Sequence, residues 1–231
     1  MCVCGNHDVG NVPNRRTIDA WKRDFGQDYF GFWCGGCRCI CLNTQLCNAL
    51  EHGRWQDGGS HSHVSAVDRD ESQTLARAQD SWLRAEVESL AQQHTPAVHV
   101  MAFAHIPPFI RRVEEAKGYY NLEPGVRKDL LDTLKAARCS KLFCGHYHSN
   151  AGGWYAEDEE ARLEVVITGA AGAAIPLKVP EDDVEALSPA GQDLSRMQCS
   201  PDVSGMRIVQ VTRCGISHRW ILGREFSKGS D

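Results

Sequence analysis

Gly5-Asn6-His7-Asp8 is the stretch on which the reading of this chain turns. Gly5 permits a tight turn with its backbone open to a ligand. Asn6 brings a neutral oxygen, His7 an imidazole, and Asp8 a carboxylate able to hold that imidazole in one tautomer. The short apolar run Met1 to Cys4 leads into it, as a strand leads into a turn. Two later stretches repeat the arrangement, Ala104-His105-Ile106-Pro107 and Gly145-His146-Tyr147-His148. In each, histidine closely follows an apolar run that reads as a buried strand. Strand ends then deliver Asn6, His105, His146 and His148 together, a donor set suited to a metal site at the edge of an α/β sheet.

Length and composition agree with that picture. The chain has 231 residues, 42% of them hydrophobic and 24% charged, enough for a single domain with a sizeable core. We read residues 1–231 as one domain, with insertions near residues 48–68 and 176–204. The net charge of −5 supplies no broad basic field, so no nucleic-acid partner is expected. No apolar stretch approaches a membrane span, so no membrane partner is expected either. The eleven cysteines are an odd number in a long chain, unlike a small disulfide scaffold. Cys34, Cys37, Cys39 and Cys41 resemble a zinc cluster at first sight. The alternation Cys37-Arg38-Cys39-Ile40-Cys41 reads better as a strand using cysteine as a small hydrophobe, and no second Cys-x-x-Cys answers it. Free thiols suit a reducing compartment, and the cytoplasm is the expected location.

Along the chain, Thr17 to Phe25 reads as a helix with Ile18 and Trp21 inward and Gly26 as its stop. Tyr29 to Trp33 and Cys37 to Leu42 read as a hairpin about Gly35-Gly36, and Asn43-Thr44 ends the second strand at a natural place for another active-site side chain. Glu51 to His63 reads as a solvated insertion carrying His52, His61 and His63. Glu71 to Gln93 is helical, with Leu75, Trp82, Leu83, Val87 and Leu90 near one face. Ala97 to Ala104 is a strand that Pro107-Pro108 ends. The following loop, with Arg111, Arg112, Tyr119 and Tyr120, overhangs the candidate site. Pro124 opens a helix through Leu134, and Lys141 to Cys144 is the strand before Gly145. Trp154-Tyr155 and Leu163 to Thr168 form a hairpin, Pro176 to Pro201 a long loop, and Met206 to Thr212 with Ile216 to Leu222 a last hairpin.

Taken together, Gly5-Asn6-His7-Asp8, His105 and Gly145-His146-x-His148 resemble the calcineurin-like metallophosphoesterases. Asp28-Tyr29-Phe30-Gly31-Phe32-Trp33, His105-Ile106-Pro107 and the run from Gly145 to Gly153 bring the likeness closest to the small cytosolic serine/threonine phosphatases of that superfamily. The resemblance implies a four-layer αββα sandwich with two divalent metal ions (Mn, Fe or Zn) at the carboxyl ends of its strands. It implies Asn6, His105 and His146 on one metal and His148 on the other. It implies that His7, oriented by Asp8, protonates the leaving oxygen, and that Asn6 and His7 meet the phosphate. Arg111, Arg112 and Tyr120 are further candidates for substrate contact. A phosphorylated protein or a small phosphoester is the implied substrate, and a monomer the implied state.

The family pattern opens with an Asp-x-His and a Gly-Asp that precede the Asn-His-Asp turn. Neither stands before Gly5 here, so we expect the first strand–helix units, roughly 30 residues each, to be lacking. Asp57, Asp68 and Asp80 are not replacements, because they lie in a loop or on a helix face. Three functional readings follow: a two-metal serine/threonine phosphatase, a catalytically impaired fragment or pseudoenzyme, and a phosphodiesterase or small-molecule phosphomonoesterase of the same family.

Overall fold

The computed structural model describes residues 1–50, 65–155, 162–172 and 204–226. The Gly/Ser/His insertion with His52, His61 and His63, and the expected loop from Pro176 to Pro201, lie outside the described residues. The centre is a six-stranded sheet in the order β1-β2-β3-β4-β6-β5. Its strands are β1 (Phe30–Cys34), β2 (Cys37–Cys41), β3 (Val100–Phe103), β4 (Cys139–Cys144), β5 (Ala151–Tyr155) and β6 (Leu163–Ile167). The four inner strands run parallel, and the edge strands β1 and β5 are antiparallel to their neighbours. Parallel strands are covered on both faces, so they read as continuous apolar runs such as Val100-Met101-Ala102-Phe103.

The two faces bury different partners. Ile40, Leu42, Val100, Ala102 and Leu142 join the main core with Leu83 of α3 (Ala66–Ala91) and Leu130, Leu131 and Leu134 of α4 (Pro124–Ala136). Cys37, Cys39 and Met101 face the other way, against Phe32, Phe103 and Ile216. Ile216 belongs to the hairpin β7 (Gly205–Thr212) and β8 (Gly215–Leu222), a separate two-stranded sheet. His218 of β8 meets Phe143 edge-on at 5.8 Å and pairs with Glu164 at 3.3 Å, which docks the hairpin on the central sheet. The fold is mixed α/β, with helices, a large sheet and a small sheet in layers.

Several expected boundaries move, each for a local reason. Met1 to Cys4 is not a strand. The Cys4 carbonyl accepts from Gln45 Nε2 at 3.3 Å rather than from a ladder partner, and α1 (Asn6–Val9) starts at once behind it. The first long helix, α2 (Arg15–Phe25), starts where it does because Asn14 and Thr17 cap each other reciprocally there. The last long helix, α4, begins at Pro124 as expected, with the Glu123 carboxylate accepting from the Gly125 and Val126 amides. On α3 the deepest positions are Ser72, Ala76, Gln79 and Leu83, of which the apolar pattern marks Leu83 but not the other three. Gln79 works as a detached strand edge: its amide oxygen accepts from the Asn43 N–H at 2.8 Å, and its Nε2 donates to the Asn43 carbonyl at 3.1 Å.

Candidate metal and phosphate site

Because β2, β3 and β4 are parallel, their carboxyl ends open on one edge of the sheet. β3 runs on through Ala104, whose N–H donates to the Phe143 carbonyl at 2.9 Å, into His105. β4 runs into Gly145, whose N–H donates to the His105 carbonyl at 3.1 Å. The two turns are thus tied together by backbone. His146 and His148 both take a left-handed conformation, with φ of 65° and 61°. The Tyr147 N–H closes back on the Gly145 carbonyl at 2.7 Å, a tight three-residue turn about His146. Non-glycine residues rarely hold such φ values, and strain of this kind collects at functional sites. Tyr147 stabilises the turn by burying its whole side chain in the main core, against Tyr120 at 5.4 Å.

The His105 and His146 rings lie 4.9 Å apart between centroids. His105 Nε2 meets Asn6 Oδ1 at 3.0 Å. Asn6 Nδ2 donates to the Tyr119 hydroxyl at 3.4 Å, and His146 Nε2 donates to the Tyr119 carbonyl at 3.2 Å. Asn6, His105, His146 and Tyr119 therefore form one cluster. Burial pushes the His105 pKa down to about 3, helped by repulsion from His146, His148 and His7. Burial pushes His146 down to about 4; its bond to the Tyr119 carbonyl opposes the shift, and His148 and His7 reinforce it. Both rings are neutral near pH 7, so each keeps one unprotonated ring nitrogen, the form that binds a cation.

Gly5 has extended backbone, with φ of −108°, so freedom at a tight turn is not its contribution. A Cβ there would stand 3.0 Å from His105 Cε1 and 3.2 Å from Nε2, so glycine makes room for the ring. Asp8 does not hold His7. Its Oδ2 accepts from the Gly5 N–H at 2.7 Å, because neighbouring residues on a helical turn do not face each other. His7 is exposed. Asn43 and Thr44 do not enter the cluster: Asn43 Nδ2 donates to Asp28, and Thr44 Oγ1 accepts from the Ile106 N–H at 2.7 Å, which fixes the turn after His105. Tyr120 is buried against Tyr147 and His146, and Tyr119 is the ring that reaches Asn6. The Arg111 and Arg112 amides both donate to Glu115, while no described contact brings either guanidinium to the histidines. Cys37, Cys39 and Cys41 are buried and reduced. Among the described residues no three His, Cys, Asp or Glu side chains are grouped to hold a metal ion.

No family model matches the chain. The serine/threonine-protein phosphatase CPPED1 of Danio rerio is 32% identical over 218 residues, 94% of this chain and 54% of that protein. The CPPED1 proteins of Rattus norvegicus and Homo sapiens are each 31% identical, over 228 and 229 residues, covering 99% of this chain and 57% of theirs. The chain thus spans little more than half the length of the curated relatives it matches. A solved structure titled "GAP50 the anchor in the inner membrane complex of Plasmodium" aligns at 13% identity with a TM-score of 0.46, covering 87% of this chain and 50% of that one; a likeness so slight carries no argument. The chain is thus similar to the CPPED1 phosphatases over 94–99% of its own length.

Proposed function

We propose that this chain forms part of a metal-dependent phosphoesterase acting on phosphoserine and phosphothreonine in proteins. The observation that carries the reading is the meeting of Asn6, His105 and His146 at the carboxyl edge of the sheet, with 3.0 Å and 4.9 Å between successive members. The name of the CPPED1 relatives supports the substrate class. Asn6, His105 and His146 offer neutral nitrogen and oxygen donors that fit one cation of the Mn, Fe or Zn kind. A second cation is poorly provided for, since His148 is its one assigned ligand and no carboxylate among the described residues joins the cluster. Bound divalent cations would neutralise the phosphate and lower the pKa of the attacking water.

The chain's own residues divide the remaining work. His7, exposed beside the cluster, gives a ring-nitrogen proton to the leaving oxygen. Asp8 acts on it indirectly, by fixing the Gly5-Asn6-His7 turn through the Gly5 amide. Asn6 Nδ2 is available to a phosphate oxygen once it leaves Tyr119. The ten free thiols of the described residues suit a reducing compartment such as the cytoplasm. A specific observation favours a second reading, catalytic impairment: an amide and imidazoles bring no negative charge to hold two cations together, and no carboxylate among the described residues joins Asn6, His105 and His146.

Phosphatase assays and metal analysis distinguish the readings. They are run on Met1–Asp231 and on a version extended upstream by strand–helix units bearing Asp-x-His and Gly-Asp. We expect slow or no hydrolysis from the first and metal-dependent hydrolysis of phosphopeptides from the second. In the active protein His7→Ala lowers turnover by ~10²–10⁴-fold at nearly constant metal content, and His146→Gly, which keeps the backbone turn, lowers both. Hydrolysis of small phosphomonoesters in preference to phosphopeptides would reassign the substrate. An extended protein that binds metal and hydrolyses nothing would establish the impaired reading.

A further inference from the structure

Cys34-Gly35-Gly36-Cys37 takes no part in the histidine cluster, and only its last residue, Cys37, is packed in the core. Gly35 and Gly36 form the tip of the β1–β2 hairpin, with φ of 57° and 81°. Positive φ at both positions is the signature of the two-residue turn that matches strand twist. The register sets Cys34 directly opposite Cys37, and both are reduced. Directly opposed residues of an antiparallel pair lie ~4.5–5.5 Å apart at Cα and point to the same face; a disulfide spans ~4.4–6.8 Å. The tip cannot slip out of this register. The Gly36 carbonyl accepts from the Val98 N–H at 2.9 Å, and the Arg38 N–H donates to the His99 carbonyl at 2.9 Å. Access is asymmetric: Cys34 is exposed and Cys37 buried. Burial keeps the neighbouring Cys39 thiol protonated, at a pKa of about 11, so it does not compete.

We propose that Cys34 and Cys37 form a reversible dithiol–disulfide couple that takes small-molecule disulfides as its oxidant. The Cys34 thiolate attacks one sulfur of glutathione disulfide, forming a mixed disulfide and expelling one glutathione. The Cys37 thiolate then attacks the Cys34 sulfur and expels the second. The protein loses two electrons and two thiol protons, and glutathione disulfide is reduced to two glutathiones. An exposed couple of this kind exchanges readily and is reduced again by thiols.

Trypsin releases both cysteines, and no others, on the peptide Asp24–Arg38, while exposed Cys214 lies on a different peptide and reports ordinary thiol reactivity. The folded chain is incubated with glutathione disulfide, quenched, unfolded in denaturant, alkylated, digested and weighed. The expected Asp24–Arg38 peptide is unalkylated and lighter by two hydrogen atoms, and dithiothreitol restores both thiols. Cys37→Ala should stop at a glutathione adduct on Cys34. Cys34→Ser, at an exposed position that leaves the fold intact, should keep Cys37 fully alkylatable. The proposal is overturned if wild-type protein retains a stable glutathione on Cys34. It is equally overturned if both thiols still alkylate once Cys214 has reacted.

Discussion

His105 and His146 are the residues whose chemistry most depends on the fold. Their folded pKa values, about 3 and about 4, lie below the 6.5 of a free imidazole. Above pH 6.5 neither the folded nor the unfolded state holds the proton, so no stability is at stake. Below it the unfolded chain binds protons that the buried rings refuse, and stability falls as pH drops towards 4. Each histidine adds at most roughly 1.4 kcal/mol per pH unit within that window. Urea unfolding should therefore show a lower midpoint at pH 5 than at pH 7, and His105→Gln should flatten the difference. An unchanged slope in the variant would mean that the ring is already charged in the folded protein. Gly5→Ala tests the same ring sterically. Its methyl at 3.0 Å forces His105 away from Asn6, at a cost of about 1–3 kcal/mol. Zinc titration and the His105 ring proton shift would both register the displacement.

Among the elements, the loop from Phe109 to Leu122 over the site is held more firmly than a stretch without secondary structure suggests. The buried Glu115 carboxylate accepts from the Ile110, Arg111 and Arg112 amides at 2.8, 2.6 and 2.8 Å. From α4, the fully buried Arg127 donates to the Val113, Glu115 and Leu122 carbonyls at 2.5, 2.7 and 2.8 Å. These bonds place Tyr119 over Asn6 and His146. Arg127→Met leaves three carbonyls unpaired and should cost roughly 3–5 kcal/mol. It should also open the loop to proteolysis at Arg111 and Lys117 before the sheet melts; simultaneous loss of both would place the loop in the folding core. This element marks the limit of what the sequence discloses. β2, β3, β4 and α4 were legible, because buried parallel strands are unbroken apolar runs and Pro124 marks a first turn. The Glu115 and Arg127 contacts carry no period, and polar Ser72 and Gln79 hide the buried face of α3. Met1 to Cys4 is apolar enough for a strand, yet forms none.

For the molecule as a whole, the sheet has unequal covers. Helices α3 and α4 bury one face in a large core, while the β7–β8 hairpin covers the other, with Met206, Ile208 and Val211 exposed. Two strands alone are marginal, so the hairpin depends on contacts such as His218 with Glu164. Hydrogen exchange should find the amides of β3, β4 and β6 slowest and those of β7 and β8 fastest among the strands. Equal protection would show one cooperative unit. The meeting of His105 and His146 was legible at this scale because each closely follows a buried run, β3 or β4, to the same sheet edge. Tyr119 was not singled out, since only the folded loop brings it there. The pairing of Asn6 with His105 spans 99 residues of chain. A ribosome adding ~5–20 residues per second takes roughly 5–20 s to make that interval. During that time the Gly5–Asp8 turn has been synthesised and His105, its partner, has not. The full cluster can close only late, after β4 has emerged and brought His146 with it. The order of synthesis alone thus withholds the Asn6–His105–His146 cluster until most of the sheet exists to receive it.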